Sequence, residues 1–486
     1  SGTVADLQLL ATDNNELVAT LRNVEEIRFT DQTKLVADIL AENSGGGGGG
    51  GTLGVLLNGT PFNDELIGGA GNDTINGFDG FDHLVGAAGD DLIDAGLGFD
   101  WVEAGDGNDT VAVGDGAFGT LVEKSIYMGA GTDVVDLNTI TSNGVWVALQ
   151  HGDLQAGITA QVDGITNTAT IDKGAAGTTT VLNPNAAIQS DGMTVFGTAF
   201  DDNFTMRPGN EGYLGLRPGG GADTITVQPA GGYFRLEYSD SNATQGVVAN
   251  LATGIISNDG FGSQDTVIGE IYAFRTGNQN DVVTGSALPE QFILQAGTDV
   301  LDGAGGRDLL RLDRSGAADA AVDLQAGTAS GTWHQRDFSY SLSNIEDVWG
   351  TLGSNDTIAG NNAANTLFGN GGDDMLSGRG GDDVLDGGTG NDTLDGGAGN
   401  DILRGGDGTD RAVYTQARAD VELFSDGFGN HTVVSSSGTD RLESIEEIQF
   451  SDRLVRNFIP TGPENLPGWT IGDPHLQTLD GVGYGF

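Results

Sequence analysis

Residues 68–76 read GGAGNDTIN, the clearest copy of a nine-residue phrase that repeats six times without a gap between Gly59 and Ala112. The sixth position is Asp in every copy, and a large apolar residue follows two positions later. Glycines at the first, second and fourth positions let the chain turn tightly with its carbonyls pointing into the turn. Three residues then form a short strand whose apolar side chain points inward. The phrase predicts a stack of turns that share one thin core.

A second block of seven copies runs from Thr351 to Val413, with Asn365 in place of Asp once. Weaker copies lie between the two blocks in the same register, at Asp133, Asp202, Asp223 and Asp265 and in a run from Asp281 to Asp308 that includes Glu290. The candidate metal ligands are carboxylates at the sixth position: Asp64, Asp73, Asp82, Asp91, Asp100, Asp109, Asp133, Asp281, Asp299, Asp308, Asp356, Asp374, Asp383, Asp392, Asp401 and Asp410.

The ligand chemistry of the phrase indicates calcium. Carboxylate and carbonyl oxygens, without His or Cys, are the donors that Ca²⁺ prefers, and the ion accepts about 6–8 of them in a tolerant geometry. A disordered Gly/Asp-rich tract would have a similar composition, but it would have no reason to keep an apolar residue two positions after each Asp. We therefore expect several Ca²⁺ ions as cofactors.

These blocks resemble the RTX, or haemolysin-type, calcium-binding repeat proteins. The resemblance implies right-handed parallel β-rolls, with two phrases per turn and Ca²⁺ between adjacent turns on each side. Partner carboxylates would then lie eighteen residues apart, as Asp64 and Asp82 do. If each ion needs two stacked turns, the first block would hold roughly four ions and the second roughly five. The neutral Asn365 would weaken the ion that it shares with Asp383.

The net charge and the composition of the chain also indicate folding that depends on calcium. The chain has 70 acidic and 20 basic residues, a formal net charge of −50, and 83 glycines among 486 residues. This charge argues against a nucleic-acid partner, because phosphate binding needs the opposite sign. Without divalent ions such a chain repels itself, whereas bound ions turn the repelling carboxylates into ligands, so that binding energy becomes folding energy. We expect a chain that is unfolded in a calcium-poor cytosol and folded outside the cell.

Cysteine is absent, so metal ions and repeat stacking, rather than disulfides, are the expected source of stability in a bacterial extracellular protein. No segment approaches the ~20 apolar residues of a membrane span, and the first residues lack the pattern of a signal peptide. The RTX resemblance implies type I export to the cell surface or medium.

The phrase blocks, strand-like spacers and linkers predict an elongated all-β chain, in which parallel β-rolls are separated by β-rich spacers. The predicted segments are 1–40 (tail of a preceding β unit), 41–58 (Gly-rich linker), 59–136 (first roll), 137–196 (spacer), 197–226 (short degenerate roll), 227–275 (spacer), 276–311 (degenerate roll), 312–350 (spacer), 351–413 (main roll), 414–457 (β cap), 458–468 (linker) and 469–486 (start of a further domain).

Residues 472–486 resemble the opening strand of a von Willebrand factor type D domain, most of which would lie beyond Phe486. We therefore expect a middle portion of a larger extracellular protein. In some type D domains the Gly-Asp-Pro-His element is cleaved at its own Asp-Pro bond, which here would be the bond between Asp473 and Pro474. The simpler interpretation is a strand and turn of that domain.

Two functions remain open on the sequence. The first is a calcium-binding structural or adhesive segment of a large secreted surface protein, which assembles with copies of itself or with matrix components into a layer, fibre or matrix. The second is the calcium-dependent folding and secretion module of a type I-secreted enzyme, such as a protease, lipase or polysaccharide-modifying enzyme. No His-Glu-x-x-His or Gly-x-Ser-x-Gly motif occurs, so we expect no catalytic activity in this chain.

Overall fold

The computed structural model describes residues 54–115, 122–141, 144–425 and 430–456, together with the two-residue antiparallel strands Leu10–Ala11 and Leu17–Val18. Most of the predicted tail and Gly-rich linker lies outside the described residues. So do residues 457–486, which hold the type D-like stretch and the bond between Asp473 and Pro474.

The described chain is almost entirely β-strand, and successive strands alternate between two parallel-rich sheets, here called sheet A and sheet B. Sheet A contains Leu56–Asn58, Thr74–Asn76, Leu92–Asp94, Thr110–Ala112, Gly131–Asp136, Thr159–Asp163, Thr168–Asp172, Gly177–Leu182, Asn203–Arg207, Thr224–Val227, Val248–Asn250, Ile255–Asn258, Asp265–Ile268, Val282–Thr284, Gly297–Asp302, Ala317–Asp323, Thr328–Trp333, Arg336–Ser343, Thr357–Ala359, Met375–Ser377, Thr393–Asp395, Arg411–Val413, Glu447–Gln449 and Leu454–Arg456.

Sheet B contains Glu65–Ile67, Asp79–Val85, Leu97–Glu103, Val122–Tyr127, Val145–Gln150, Gly192–Phe196, Tyr213–Arg217, Tyr233–Glu237, Ala273–Arg275, Gln291–Ile293, Leu309–Arg311, Asp347–Trp349, Thr366–Gly371, Val384–Thr389, Ile402–Asp407, Glu422–Ser425, Asn430–Val434 and Thr439–Glu443. Among the described residues the helical elements are one α-helix, Pro184–Ser190, and two 3₁₀ turns, Gly174–Ala176 and Arg418–Asp420. No helix of this part of the chain is long and apolar enough to cross a membrane.

Strands that pair within a roll are two phrases apart. In sheet A, Thr74 pairs in parallel with Leu92, and Leu92 pairs with Thr110; in sheet B, Val384 pairs with Ile402. Each step is eighteen residues, so one turn of the stack contains two phrases, as the RTX resemblance implies.

The spacers continue the same two sheets. Three antiparallel strand pairs enter sheet A, at 159–172, 248–258 and 317–333. Each pair lies beside a parallel roll strand on one edge and an antiparallel spacer strand on the other. For example, Thr159–Asp163 pairs in parallel with Asn203–Arg207. The stacking of turns is therefore continuous between the first and second blocks.

The apolar residue of nearly every phrase lies in the core between the sheets, as the pattern predicts, whereas Leu66 of the first phrase is only partly buried and packs against this core. Side chains with at most 2% of their surface exposed include Ile75, Leu84, Ile93, Val102, Val111, Ile358, Leu367, Leu376, Leu385, Leu394, Leu403 and Ala412. This buried column stabilises the stack, at roughly 1.5–3 kcal/mol for each large aliphatic side chain. It also fixes the position of the Asp two residues earlier, which stands at the start of each short strand.

Candidate calcium sites

The sixth-position carboxylates form hydrogen-bonded columns, here called Asp ladders, along both edges of the first roll. The backbone N–H of Asp64 donates to Oδ1 of Asp82 at 2.9 Å, and that of Asp82 donates to Oδ1 of Asp100 at 3.1 Å. On the opposite edge Asp73 donates to Asp91, Asp91 to Asp109, and Asp109 to Asp133, at 2.7, 2.8 and 3.0 Å. The carboxylates predicted to be partners are therefore neighbours in space.

The second roll repeats this geometry. One ladder joins Asp356, Asp374, Asp392 and Asp410 through N–H···Oδ1 bonds of 2.7–2.8 Å. The other joins Asn365, Asp383 and Asp401 at 2.8 and 2.9 Å. In the degenerate roll Asp281 donates to Asp299, and Glu290 donates to Asp308. One oxygen, Oδ1, of each carboxylate that accepts such a bond is thereby used to hold adjacent turns together.

The second carboxylate oxygen is the one available to an ion. Within the described residues, Oδ2 is buried and has no hydrogen-bond partner at these ladder members: Asp82, Asp91, Asp109, Asp223, Asp281, Asp299, Asp308, Asp374, Asp383, Asp392, Asp401 and Asp410. A buried charged oxygen without a partner is expensive, so such groups are normally paired or coordinate a metal. This repeated unmet acceptor fits Ca²⁺.

Backbone carbonyls would complete the donor set. An ideal Cβ at Gly77 would lie 2.7 Å from Oδ2 of Asp82 and 2.8 Å from the carbonyl oxygen of Ala95, one turn later. Only glycine leaves room where these oxygens converge. Among the described residues, no three acidic or histidine side chains meet at one point. Each site would therefore combine carboxylates with backbone carbonyls, and the ion would neutralise the paired carboxylates.

Burial also raises the pKa of these carboxyl groups. The pKa is raised to about 6 for Asp82 and Asp91 and to about 7 for Asp109 and Asp374, in each case chiefly because burial disfavours the charged form. Neighbouring ladder carboxylates raise it further. A divalent cation would reverse both effects, since it would replace lost hydration and offset the repulsion.

Five predicted ligands have their Oδ2 engaged by the chain itself. Asp64 accepts from the N–H and hydroxyl of Thr60, Asp73 from the N–H of Gly69, and Asp356 from the N–H and hydroxyl of Thr351. A lysine contacts each of the other two, Lys124 on Asp100 and Lys173 on Asp133.

Asn365 satisfies its amide locally. Its Oδ1 accepts from the N–H of Asn361 at 2.8 Å, and its Nδ2 donates to the carbonyl oxygen of Glu346 at 2.8 Å.

The ladders contain acidic residues that sequence reasoning did not identify as members. Oε2 of Glu346 accepts the N–H of Asp308 at 2.9 Å, and Oε2 of Glu446 accepts the N–H of Asp410 at 2.8 Å. Oδ1 of Asp440 accepts the N–H of Asp401 at 3.0 Å. The signal for the two glutamates was a pair of related phrases: Asn344-Ile345-Glu346 lies just before the second roll, and Ser444-Ile445-Glu446 lies after it.

Another ladder crosses the middle of the chain. Asp202 donates to Oδ1 of Asp223 at 2.8 Å, and Asp223 donates to Oδ1 of Asp265 at 2.9 Å. The sequence placed these residues in the repeat register without assigning them as ligands. Oδ2 of Asp265 accepts a hydrogen bond from the hydroxyl of Tyr238 at 2.7 Å. Oδ2 of Asp223 has no described partner, and burial raises the pKa of Asp223 to about 9.

No curated protein matches this chain. Among solved structures, a hyperactive, Ca²⁺-dependent, beta-helical antifreeze protein from an Antarctic bacterium has 13% sequence identity over 82% of this chain and 95% of its own, with a TM-score of 0.15. At that TM-score the likeness carries no argument. The family model of the RTX calcium-binding nonapeptide repeat matches residues 58–93, 85–117, 292–311, 351–385 and 377–412. The chain therefore contains RTX nonapeptide repeats, and Ca²⁺ is their cofactor.

Proposed function

We propose that this chain is a calcium-folded structural or adhesive segment of a large secreted bacterial surface protein. Calcium outside the cell completes the Asp ladders, and the stacked turns become a rigid spacer that holds contact surfaces in fixed positions. The proposed ligands are the sixth-position carboxylates whose buried Oδ2 has no described partner, and type I export is the proposed route. The RTX repeats support the calcium part of this proposal. Repeats of this kind are also typical of secreted proteins, which supports a place outside the cell.

One observation carries the proposal: in buried ladder carboxylates such as Asp383 and Asp392, Oδ2 is buried and accepts no hydrogen bond from any described group. A stack of ionised carboxylates in this state opposes its own folding, through lost hydration and mutual repulsion. Calcium removes both penalties. The folded state is therefore coupled to the free Ca²⁺ concentration, which differs between the cytosol and the outside of the cell.

An exposed aromatic surface on the first roll supports assembly. Phe81 and Phe99 stack with ring centroids 5.8 Å apart on the outside of sheet B and are 58% and 40% exposed. Beside them Trp101, 46% exposed, stacks on Tyr127 at 5.6 Å. Neighbouring exposed aromatic side chains of this kind mark contact surfaces rather than solvated faces. We propose a second copy of this chain as the occupant of this aromatic surface.

The decisive experiment is a Ca²⁺ titration from a chelated start, which follows far-UV circular dichroism and hydrodynamic radius together. We expect a cooperative gain of β-sheet signal with contraction, and no such change with Mg²⁺, which demands a stricter octahedral geometry. A β-sheet signal that is already complete in chelator would overturn the proposal.

Assembly is tested separately by sedimentation at saturating Ca²⁺. The wild-type chain should associate, and the double variant Phe81→Ser/Trp101→Ser should sediment as a monomer with the same ion content. Leu352→Ser is the matched control, because Leu352 is 58% exposed but lies at the start of the second roll. Equal association of all three proteins would remove the aromatic surface from the proposal.

The alternative function, a folding and secretion module of a type I-secreted enzyme, stays a prediction from the sequence. The same is true of the type D-like stretch and of cleavage at the bond between Asp473 and Pro474.

A further inference from the structure

Lysine is rare in this chain, and its placement is unusual. The sequence contains only Lys34, Lys124 and Lys173. The latter two lie in the described part of the chain, and both have fully buried side chains. From residue 35 to residue 206 they are the only basic residues. Lysine is almost never fully buried unless its ammonium is paired, so these two positions call for a specific explanation.

Lys124 ends an Asp ladder. In the register of sheet B, Asp82 pairs with Asp100 and Asp100 pairs with Lys124, so the lysine stands where the next ladder carboxylate would be. Its Nζ contacts Oδ2 of Asp100 and donates to the carbonyl oxygen of Gly96 at 2.7 Å.

Lys173 forms the same arrangement at the end of the opposite ladder. Its Nζ contacts Oδ2 of Asp133 and donates to the carbonyl oxygen of Gly129 at 2.7 Å. In both cases the carbonyl belongs to the residue four positions before the Asp. Lys173 approaches from a different element, however, since it follows the antiparallel strand Thr168–Asp172. Two unrelated segments thus bring an ammonium to the same pair of oxygens.

That pair consists of a sixth-position Oδ2, the oxygen that the calcium sites use, and a backbone carbonyl from the glycine turn of the same phrase. At Asp82, Asp91 and Asp109 the corresponding Oδ2 has no described partner, whereas at Asp100 and Asp133 the ammonium supplies both charge and donors. An ion cannot occupy a position that a buried ammonium already fills. These two carboxylates therefore do not fit the role of calcium ligands through Oδ2.

We propose that Lys124 and Lys173 are built-in cations that replace Ca²⁺ at the two ladder ends where the first roll meets the first spacer. The turns around residues 96–103, 122–136 and 173–182 then form without metal and provide a preformed surface on which the calcium-dependent turns stack. In a stack whose units contact mainly their neighbours, such a metal-free unit is a place where folding can start. This inference rests on the proposed calcium-dependent folding, and it states which turns of the first roll and first spacer fold without calcium.

The test compares wild type with Lys124→Met, which keeps an unbranched apolar stem and removes the ammonium. Amide hydrogen exchange is measured by mass spectrometry in chelator and in Ca²⁺, and bound calcium is counted by elemental analysis. In wild type, residues 96–103 and 122–127 should be protected in chelator. In the variant this protection should fall at least tenfold in chelator and return with Ca²⁺, with about one more ion bound per chain. Glu123→Gln, on the outward side of the same strand, should behave as wild type.

Unchanged protection and ion count in Lys124→Met would overturn the proposal, and so would a wild-type chain that protects these residues only with Ca²⁺. If Lys124→Met folds in neither condition, the double variant Asp100→Asn/Lys124→Met decides. Recovered protection in chelator means that the ammonium neutralises the carboxylate, whereas continued unfolding means that neutralising Asp100 is not the role of Lys124 and overturns the proposal. Exchange at residues 375–407 in the same samples reports on the second roll. Calcium-independent protection there would refute the proposed function separately.

Discussion

The backbone N–H of Asp374 donates to Oδ1 of Asp392 at 2.8 Å, whereas Oδ2 of the same Asp392 side chain is buried and has no partner among the described residues. One carboxylate thus has two separate roles. Oδ1 fixes the distance between two turns, and Oδ2 supplies negative charge to the space between them. The first role needs only an acceptor, but the second needs an anion.

Substitution of Asp392 separates these roles. Asp392→Asn can keep the acceptor for the N–H of Asp374 but loses the negative charge. It should therefore need several-fold more Ca²⁺ to fold. Because the buried charge is gone, its stability in chelator should equal or exceed that of wild type. Asp392→Ala also leaves a buried N–H unsatisfied, which should cost about 1–3 kcal/mol in both conditions. Thermal unfolding with and without Ca²⁺ measures both effects. Asp407→Asn, an exposed residue nearby, is the control, and an unchanged calcium requirement in Asp392→Asn would contradict this assignment.

The ion-free fold should become less stable as the pH rises. Burial raises the pKa of Asp392 to about 6 and the pKa values of Asp374 and Asp401 to about 7, above the ordinary value of about 3.9. Between these values the folded chain binds more protons than the unfolded chain. The stability contributed by these groups is therefore fully present in acid and is lost as the pH rises through about 6–7.

Calcium should reverse this dependence, because the ion holds the same carboxylates in their charged form and protons compete with it. Urea unfolding from about pH 4 to pH 8 in chelator and in saturating Ca²⁺ should give slopes of opposite sign. Slopes of the same sign would show that these carboxyl groups do not take up the ion.

The repeat period made much of the fold predictable. A nine-residue phrase is local information, so it predicted the buried Leu385 and the calcium chemistry, and the RTX resemblance implied the eighteen-residue pairing of Asp374 with Asp392. The roles of Lys124 and Glu446 could not be read in this way. Each depends on a contact across an insertion, so that the two residues are not the eighteen residues of one turn apart: Lys124 lies 24 residues after Asp100, and Glu446 lies 36 residues after Asp410. Strand pairing across such insertions is decided by packing rather than by sequence distance.

Replacing the one neutral ladder position should strengthen calcium binding. In Asn365→Asp, a carboxylate would stand in line with Asp383 and Asp401, as in the opposite ladder. The variant should fold at several-fold lower Ca²⁺ but should be less stable in chelator, because it adds a buried charge and loses the Nδ2 hydrogen bond to Glu346. A calcium titration followed by circular dichroism checks the first effect, and thermal unfolding in chelator checks the second. A raised calcium requirement would show that Asn365 belongs to no ion site.

Glu446 should stabilise the end of the second roll independently of calcium. Its Oε2 accepts the N–H of Asp410, and the carbonyl oxygen of Asp410 accepts the N–H groups of Glu446 and Glu447, so the last ladder turn is closed by one short segment. Glu446→Ala leaves the buried Asp410 N–H without an acceptor and should lower the free energy of unfolding by about 1–3 kcal/mol. Glu446→Gln keeps an acceptor oxygen and should lose much less. Both variants should be compared with wild type by urea unfolding at saturating Ca²⁺. Equal losses in the two variants would mean that the charge of Glu446, rather than its acceptor, closes the ladder.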